Sequence, residues 1–148
     1  MSAIVRKFRT IHRCQRLYIG EQLKDLPMVA RYYSLILAIW NHPGFSQDQL
    51  ARHIKLNKSS IARAVAQLEE QNYVERKVCE KDQRIIRVYP AVEMEQVIPR
   101  IRKAAKDWQT LVTADLSAEE LDQFSWILDR INQRAMLAVD SQYNEEEL

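Results

Sequence analysis

The stretch that decides the fold is 46-SQDQLARHIKLNKSSIARAVAQLEEQNYVERKVCEKDQRIIRVYP-90. It begins with a helix start signal, because Ser46 can cap the backbone and Gln49 can return the bond in a capping box. A second start signal, at Asn57, follows a break in the apolar period, and it predicts another helix over Lys58–Glu70. Two helices joined by so short a break predict a helix-turn-helix.

The second helix of this pair has two chemically different faces when its residues are placed about 100° apart. Its apolar face consists of Ile61, Ala64, Val65 and Leu68. Its outer face and flanks carry small or hydrogen-bonding side chains and one long cation, namely Ser59, Ser60, Ala62, Arg63, Ala66 and Gln67. Such a surface suits the major groove of DNA, while an ordinary solvated face is an equally good explanation of this helix taken alone.

A cationic hairpin follows the second helix. Asn72 stands where a helix end needs positive φ, and residues 73–79 and 85–89 alternate like strands. The polar tip between them carries Lys81 and Arg84, and further cations flank it at Arg76, Lys77 and Arg87. Two helices, a turn and a basic hairpin predict a winged helix.

Residues 50–91 resemble the DNA-binding segment of the MarR (multiple antibiotic resistance regulator) transcription factors. The most specific pieces are LNKSSIAR at the start of the second helix, LEEQNYVER before the wing, and Asp82-Gln83-Arg84, which is similar to the family's Asp-x-Arg wing signature. The resemblance implies that Asp82 orients Arg84 toward the minor groove. Asn72 replaces the family's usual Gly, and Pro90 stands near its usual Thr. Asn tolerates left-handed geometry and Pro suits a first helical turn, so both departures are compatible with the fold.

Length and composition narrow the class of protein. The chain has 148 residues, 47% hydrophobic, with only two glycines, which favours one mostly helical domain. No apolar run approaches the roughly 20 residues that cross a bilayer, and the N-terminus lacks a signal-peptide core. Cys14 and Cys79 lie far apart, and there is no CxxC or HxxxH spacing. We expect a cytoplasmic protein with no metal, no cofactor and no membrane partner.

Charge is distributed unevenly along the chain. Residues 1–25 hold six Lys and Arg against two acids, residues 46–90 hold nine against six, and residues 91–148 hold six against twelve. This pattern is typical of a protein that presents one cationic face to a polyanion. The excess of three positive charges over residues 46–90 is modest, so without the motif it would indicate only ordinary solvated charge.

Further helices are expected over residues 2–23, Pro27–Asn41, 91–114 and 117–139, with an acidic tail at 143–148. The first has an apolar stripe of Ile4, Phe8, Ile11, Cys14 and Tyr18, and the last has one of Leu121, Phe124, Leu128, Ile131 and Ala135. These long helices carry more apolar surface than a core of this size covers, which favours a homodimer. The resemblance implies the same arrangement, in which the first, fifth and sixth helices interlock two subunits.

The predicted fold class is therefore mainly α: a winged helix-turn-helix with a small antiparallel β-hairpin wing and long N- and C-terminal dimerisation helices. We expect a single MarR-type domain over residues 1–148. Its DNA-binding part covers residues 27–90, and its dimerisation helices cover 1–25 and 91–140.

The predicted function is a transcription regulator, a repressor, that binds palindromic double-stranded DNA as a homodimer. The candidate DNA-binding residues are Asn57, Lys58, Ser59, Ser60, Ala62, Arg63, Gln67, Arg76, Lys77, Lys81, Asp82 and Arg84. The alternative is a winged-helix protein–protein interaction module without DNA binding, since fold alone does not choose. An enzyme is a distant third, because there is no GxSxG, no phosphate loop and no cleft around the hairpin carboxylates.

The effector is less well indicated by the sequence. Cys14 lies beside Arg13 and Arg16, which favour a reactive thiolate, and CQRLY is similar to a Cys-x-x-Leu-Tyr segment in hydroperoxide sensors of the family. A cysteine on an apolar stripe is more often a buried hydrophobe, and Cys79 is interpreted as structural. For a small aromatic or phenolic effector, the resemblance brings His12, Arg16, Tyr33, Trp40 and Trp108 into consideration, although these aromatics also suit a core.

Overall fold

The computed structural model describes the backbone of residues 2–146 and the side chains of residues 2–140. Its elements are α1 (Ala3–Gln22), α2 (Pro27–Asn41), α3 (Gln47–Ile54), α4 (Lys58–Glu70), β1 (Val74–Val78), β2 (Ile86–Pro90), α5 (Val92–Val112) and α6 (Ala118–Glu146). This order confirms the predicted mainly helical winged helix-turn-helix. One compact unit ends at Trp108, and a second begins at Gln109. In the part of the chain that the structure describes, no helix is long and apolar enough to span a membrane.

Side-chain caps fix where the helix-turn-helix begins and turns. The Ser46 hydroxyl accepts from the Gln49 N–H at 3.1 Å, and Gln49 Oε1 accepts from the Ser46 N–H at 2.8 Å, so the predicted capping box is present. Lys55 ends α3 in the left-handed region with φ 61°. Asn57 then caps α4 by accepting from the Ser60 N–H at 2.8 Å. These local bonds set the short turn between α3 and α4.

The core of the first unit lies beneath α4. Ile61, Ala64, Val65 and Leu68 are all buried, as the helical period predicts. They pack in one cluster with buried residues of α2, α3, β1, β2 and α5, among them Ile36, Ile39, Leu50, Val74, Val88, Met94 and Ile101. Burial of this face fixes the rotation of α4, so its opposite face points outward.

The wing is a two-stranded antiparallel hairpin in which Val74 pairs with Pro90 and Val78 with Ile86. The strands begin and end within one residue of their predicted bounds. Ahead of α3, the Gly44 N–H donates to the Val88 carbonyl at 2.9 Å, which joins the hairpin to the helix-turn-helix. Gly44 has φ 87°, and a Cβ there would meet the Tyr89 ring at 3.2 Å, so this junction requires glycine.

Most of the apolar stripe of α1 is not covered within the single chain. Ile4, Phe8, Ile11 and Cys14 are exposed, and the buried residue of α1 is Ile19. Helical period identifies residues that share a face, while burial needs a neighbouring element that this chain does not supply.

The second unit contains the end of α5, a turn and α6. The predicted capping box at Ser117 and Glu120 is present. α6 continues to Glu146, well past the predicted end at Val139, so the acidic tail is helical up to that residue. Glu147 and Leu148 lie outside the described residues. Along α6, Phe124, Trp126, Ile127, Leu128, Ile131, Met136 and Leu137 are exposed.

Candidate nucleic-acid interface

The outer face of α4 presents one long cation among small side chains. Arg63 is exposed, Ala62 and Ala66 are half-buried, and the Ser60 side chain is half-buried beside them. Among the described residues, Arg63 makes no hydrogen bond or ion pair. Its guanidinium is therefore free to meet a partner, and no bulky neighbour on this face blocks close approach to α4.

The polar residues at the start of α4 first serve the helix itself. Asn57 Oδ1 accepts from the Ser59 hydroxyl at 2.8 Å as well as from the Ser60 backbone. Lys58 Nζ lies 3.5 Å from Asp48 Oδ2, with both side chains more than half exposed. The Ser59 hydroxyl keeps its acceptor lone pairs, and Lys58 keeps most of its hydration. Both residues remain accessible at the positive end of a helix, where anions are favoured.

The wing tip holds an exposed arginine in a fixed position. Arg84 donates through Nε to Asp82 Oδ1 and through Nη2 to Asp82 Oδ2, each at 3.1 Å, and its backbone N–H also donates to Oδ1 at 3.0 Å. This guanidinium lowers the pKa of the Asp82 carboxyl below its usual value. The Arg84 side chain nevertheless remains 90% exposed. Asp82 thus holds the arginine in place without covering it.

The remaining wing cations differ in whether they contact other residues of the chain. Arg76 is paired with Glu69 at the end of α4, since Nε and Nη2 both donate to Glu69 Oε1 at 3.1 and 2.9 Å. Lys77 lies 5.0 Å above the Tyr89 ring centre. Lys81 is exposed and makes no such contact among the described residues. Lys81 and Arg84 are therefore the wing cations most open to a phosphate, while Arg76 joins α4 to β1.

The Glu69–Arg76 pair predicts a pH-dependent contribution to stability. Hydrogen bonding by Arg76 lowers the folded-state pKa of Glu69. The pair's contribution is therefore fully present above about pH 4.3, the usual pKa of glutamate. It is lost as the pH falls through the lower folded-state pKa. We expect Glu69→Gln to lower the free energy of unfolding by less than about 1 kcal/mol at pH 7, because the pair is partly exposed.

Thermal melts from pH 3 to 7 check this expectation, with Glu70→Gln, an exposed neighbour, as the matched control. The difference between wild type and Glu69→Gln should shrink toward zero at the acid end. A difference that is constant over the whole pH range would contradict the pairing.

Gln67 was a candidate for base contact from sequence, and the structure adds a partner that the sequence did not indicate. The Tyr32 hydroxyl donates to Gln67 Oε1 at 2.6 Å. The two residues are on different helices and 35 positions apart, so no local pattern signals the bond.

Cys79, interpreted as structural from the sequence, lies in an anion-stabilising environment. The backbone N–H groups of Asp82 and Lys81, with a smaller contribution from Arg87, lower the pKa of its thiol. These donors come together only when the hairpin closes. Sequence distance alone therefore gave no reason to single out this thiol.

The effector candidates lie on several elements. His12 and Arg16 lie on an open surface of α1, together with Arg9, Arg13 and Leu17. Tyr33 and Trp40 are half-buried against the hydrophobic core, and Trp108 contacts Tyr18 with ring centres 5.6 Å apart. Cys14 is exposed. Within the described residues, no group of three or more His, Cys, Asp and Glu is arranged to hold a metal ion.

Comparison with known proteins agrees with this geometry. Residues 31–86 match the model of the MarR family. The chain is 26% identical over 131 residues to the uncharacterized HTH-type transcriptional regulator YybA of Bacillus subtilis (strain 168), a match that covers 88% of this chain and 87% of that protein. A crystal structure of MarR is 28% identical with a TM-score of 0.81, covering 90% of this chain and 98% of the other. A MarR family regulator from Listeria monocytogenes, complexed with 26mer DNA, shares the fold at 18% identity and a TM-score of 0.81, covering 92% and 91%.

Proposed function

We propose that the chain, whose residues 31–86 match the model of the MarR family, is a DNA-binding transcription regulator that acts as a homodimeric repressor on palindromic DNA. In each subunit, α4 enters the major groove and the wing reaches the adjacent minor groove. Such a regulator acts in the cytoplasm, where it reaches the DNA that it regulates. A protein of the same fold has been crystallised with 26mer DNA, which supports binding to DNA.

The observation that carries this proposal is the pair of exposed arginines on one compact unit. Arg63 projects from a face of α4 made of small side chains, and Arg84 is fixed yet exposed at the wing tip. A planar guanidinium suits both guanine in the major groove and a narrow minor groove. A protein-binding surface is expected to present aromatic anchors instead. Within residues 46–90, the exposed large apolar side chains are Leu56 and Val78, and neither is aromatic.

Each candidate residue has a contact of a particular kind in this proposal. Arg63, Ser59, Ser60 and Gln67 read base edges, with Ala62 allowing close approach. Asn57 and Lys58 lie where the α4 N-terminus meets phosphate, and Lys77 and Lys81 meet phosphate along the wing. Arg76 acts chiefly through its bond to Glu69, which holds the wing against α4. Asp82 holds Arg84 for the minor groove.

Dimerisation is supported by apolar surface that the chain leaves uncovered. On α1, Ile4, Ile11 and Leu17 are each more than half exposed, and on α6 Trp126 is 61% exposed. Exposed apolar side chains repeated along two long helices are typical of a protein interface. A second copy of the chain is the simplest partner, since it places two α4 helices on two half-sites.

The experiment that tests the function is selection from a random duplex library. We expect an enriched palindrome with half-sites about 10 base pairs apart, one helical turn, and strong salt dependence of binding. Enrichment of single half-sites at arbitrary spacing would contradict the dimeric geometry. No enrichment of any duplex, with a partner protein bound instead, would favour the interaction-module alternative.

Modulation by an oxidant is proposed for Cys14. A hydroperoxide would oxidise its thiolate to a sulfenic acid and be reduced to water or an alcohol. That change adds a polar group to the α1 stripe between Ile11 and Tyr18, loosens the dimer and weakens binding to half-sites held at fixed spacing. Mild peroxide should therefore lower the affinity of wild type for its duplex, and thiol should restore it.

The matched controls are Cys14→Ser and Cys79→Ser. We expect Cys14→Ser to abolish the peroxide response and Cys79→Ser to keep it. Loss of the response only in Cys79→Ser would indicate that Cys79 on the wing, rather than Cys14, is the sensor. No response in wild type would leave a small aromatic acid as the effector, held by His12 or Arg16 and detected as a rise in melting temperature.

A further inference from the structure

A hydrogen bond between two helices fixes one side chain of the proposed recognition helix. The Tyr32 hydroxyl on α2 donates to Gln67 Oε1 on α4 at 2.6 Å. Tyr32 has φ −118° and ψ 20°, a non-helical conformation inside α2. The Arg31 guanidinium lies 5.3 Å above the Tyr32 ring centre. The phenol is thus held by a local change in the backbone, a stacked cation and its bond to Gln67.

The bond determines which end of the Gln67 amide is free. A glutamine amide has an oxygen acceptor on one side and two N–H donors on the other. The oxygen of Gln67 is directed to Tyr32, and its Nε2 is open to solvent with no partner among the described residues. Gln67 lies one helical turn after Arg63, on the same flank of α4. The donor end is therefore presented beside Arg63.

We propose that Tyr32 is a positioning residue for base recognition, holding Gln67 so that its amide N–H donors meet a hydrogen-bond acceptor in the major groove. The inference rests on the proposed function of α4. The acceptors available there are O6 and N7 of guanine, N7 of adenine and O4 of thymine, whereas adenine N6 is a donor and cytosine offers only the N4 amino donor. Fixing the side chain before binding also reduces the rotamer freedom lost on contact.

The test compares duplex selection by wild type, Tyr32→Phe and Tyr73→Phe. Tyr73 is another half-buried tyrosine packed against the core, and its hydroxyl makes no hydrogen bond among the described residues, so it is a matched control. Tyr32→Phe should lose preference at one base pair in each half-site and bind the best duplex about three- to tenfold more weakly, the value of one hydrogen bond. Tyr73→Phe should select the wild-type sequence with unchanged affinity.

Changes at Gln67 itself provide a second readout that does not depend on Tyr32. Gln67→Glu replaces the donors by an acceptor, and we expect it to favour cytosine at the same base pair. Gln67→Ala should have no preference there. In the Gln67→Ala background, Tyr32→Phe should have no further effect, because Tyr32 acts through the amide.

Different results would contradict the proposed function and the role of Tyr32. If wild type enriches no duplex, the proposed function fails. If wild type enriches a palindrome and both Gln67 variants select the same sequence as wild type, the inference is wrong while the function stands. A uniform loss of affinity in Tyr32→Phe that persists in the Gln67→Ala background would also overturn it, since that result indicates a role in stability alone. The two Gln67 variants can overturn the inference even if Tyr32→Phe does not fold.

Discussion

Arg63→Ala is expected to weaken binding of the preferred duplex by about 1–3 kcal/mol, or about 5- to 150-fold, and to erase preference at one base pair per half-site. Arg63 is exposed, unpaired among the described residues and flanked by small side chains, so its planar fork can donate two hydrogen bonds to guanine. Titration of the selected duplex and of single-base variants measures both effects. Arg63→Lys should keep the charge and lose most of the discrimination.

Lys81→Ala is the matched control, because Lys81 is also exposed and is assigned to phosphate. It should weaken all duplexes alike and reduce the slope of log K against log salt by about one. If Arg63→Ala behaves in the same way as Lys81→Ala, α4 does not read bases through Arg63. If neither substitution changes binding, the interface lies elsewhere on the chain.

Features set by neighbouring residues were predictable from the sequence. Ser46 with Gln49, and Asn57, are caps whose partners lie within three positions, and the structure has both caps. Asn72 has φ 61°, as its place after α4 indicated. The Asp82–Arg84 contact also spans two residues, although its significance came from the family resemblance rather than from spacing.

Features that depend on tertiary contact were not predictable. The Tyr32–Gln67 bond joins two helices through residues 35 positions apart. From the sequence, Arg76 is one of several wing cations. In the structure it pairs with Glu69, because β1 returns beside the end of α4. For a charged side chain, residue type and spacing gave its location on the wing. Residue type and spacing did not indicate which carboxylate would pair with that side chain.

Separating the two subunits is expected to have the largest effect of all on DNA binding. Leu128 and Ile131 are exposed apolar residues one helical turn apart on α6, and the double change Leu128→Asp, Ile131→Asp places two charges on the proposed interface. Sedimentation at micromolar concentration should then show a monomer. Affinity for the palindrome should fall by at least about a hundredfold, because the second half-site is no longer bound intramolecularly. Affinity for an isolated half-site should not change.

Val78→Asp is the control for the sedimentation experiment, since Val78 is 57% exposed on β1, outside the helices assigned to the dimer, and should leave the dimer intact. Phe8→Asp tests α1 independently and should also dissociate the dimer. A dimer that keeps its palindrome affinity in the α6 double variant would remove α6 from the interface, and the same result for Phe8→Asp would remove α1. A wild-type protein that sediments as a monomer would reject the dimeric mode entirely, because a lone subunit presents one α4 and has no means of selecting the spacing between two half-sites.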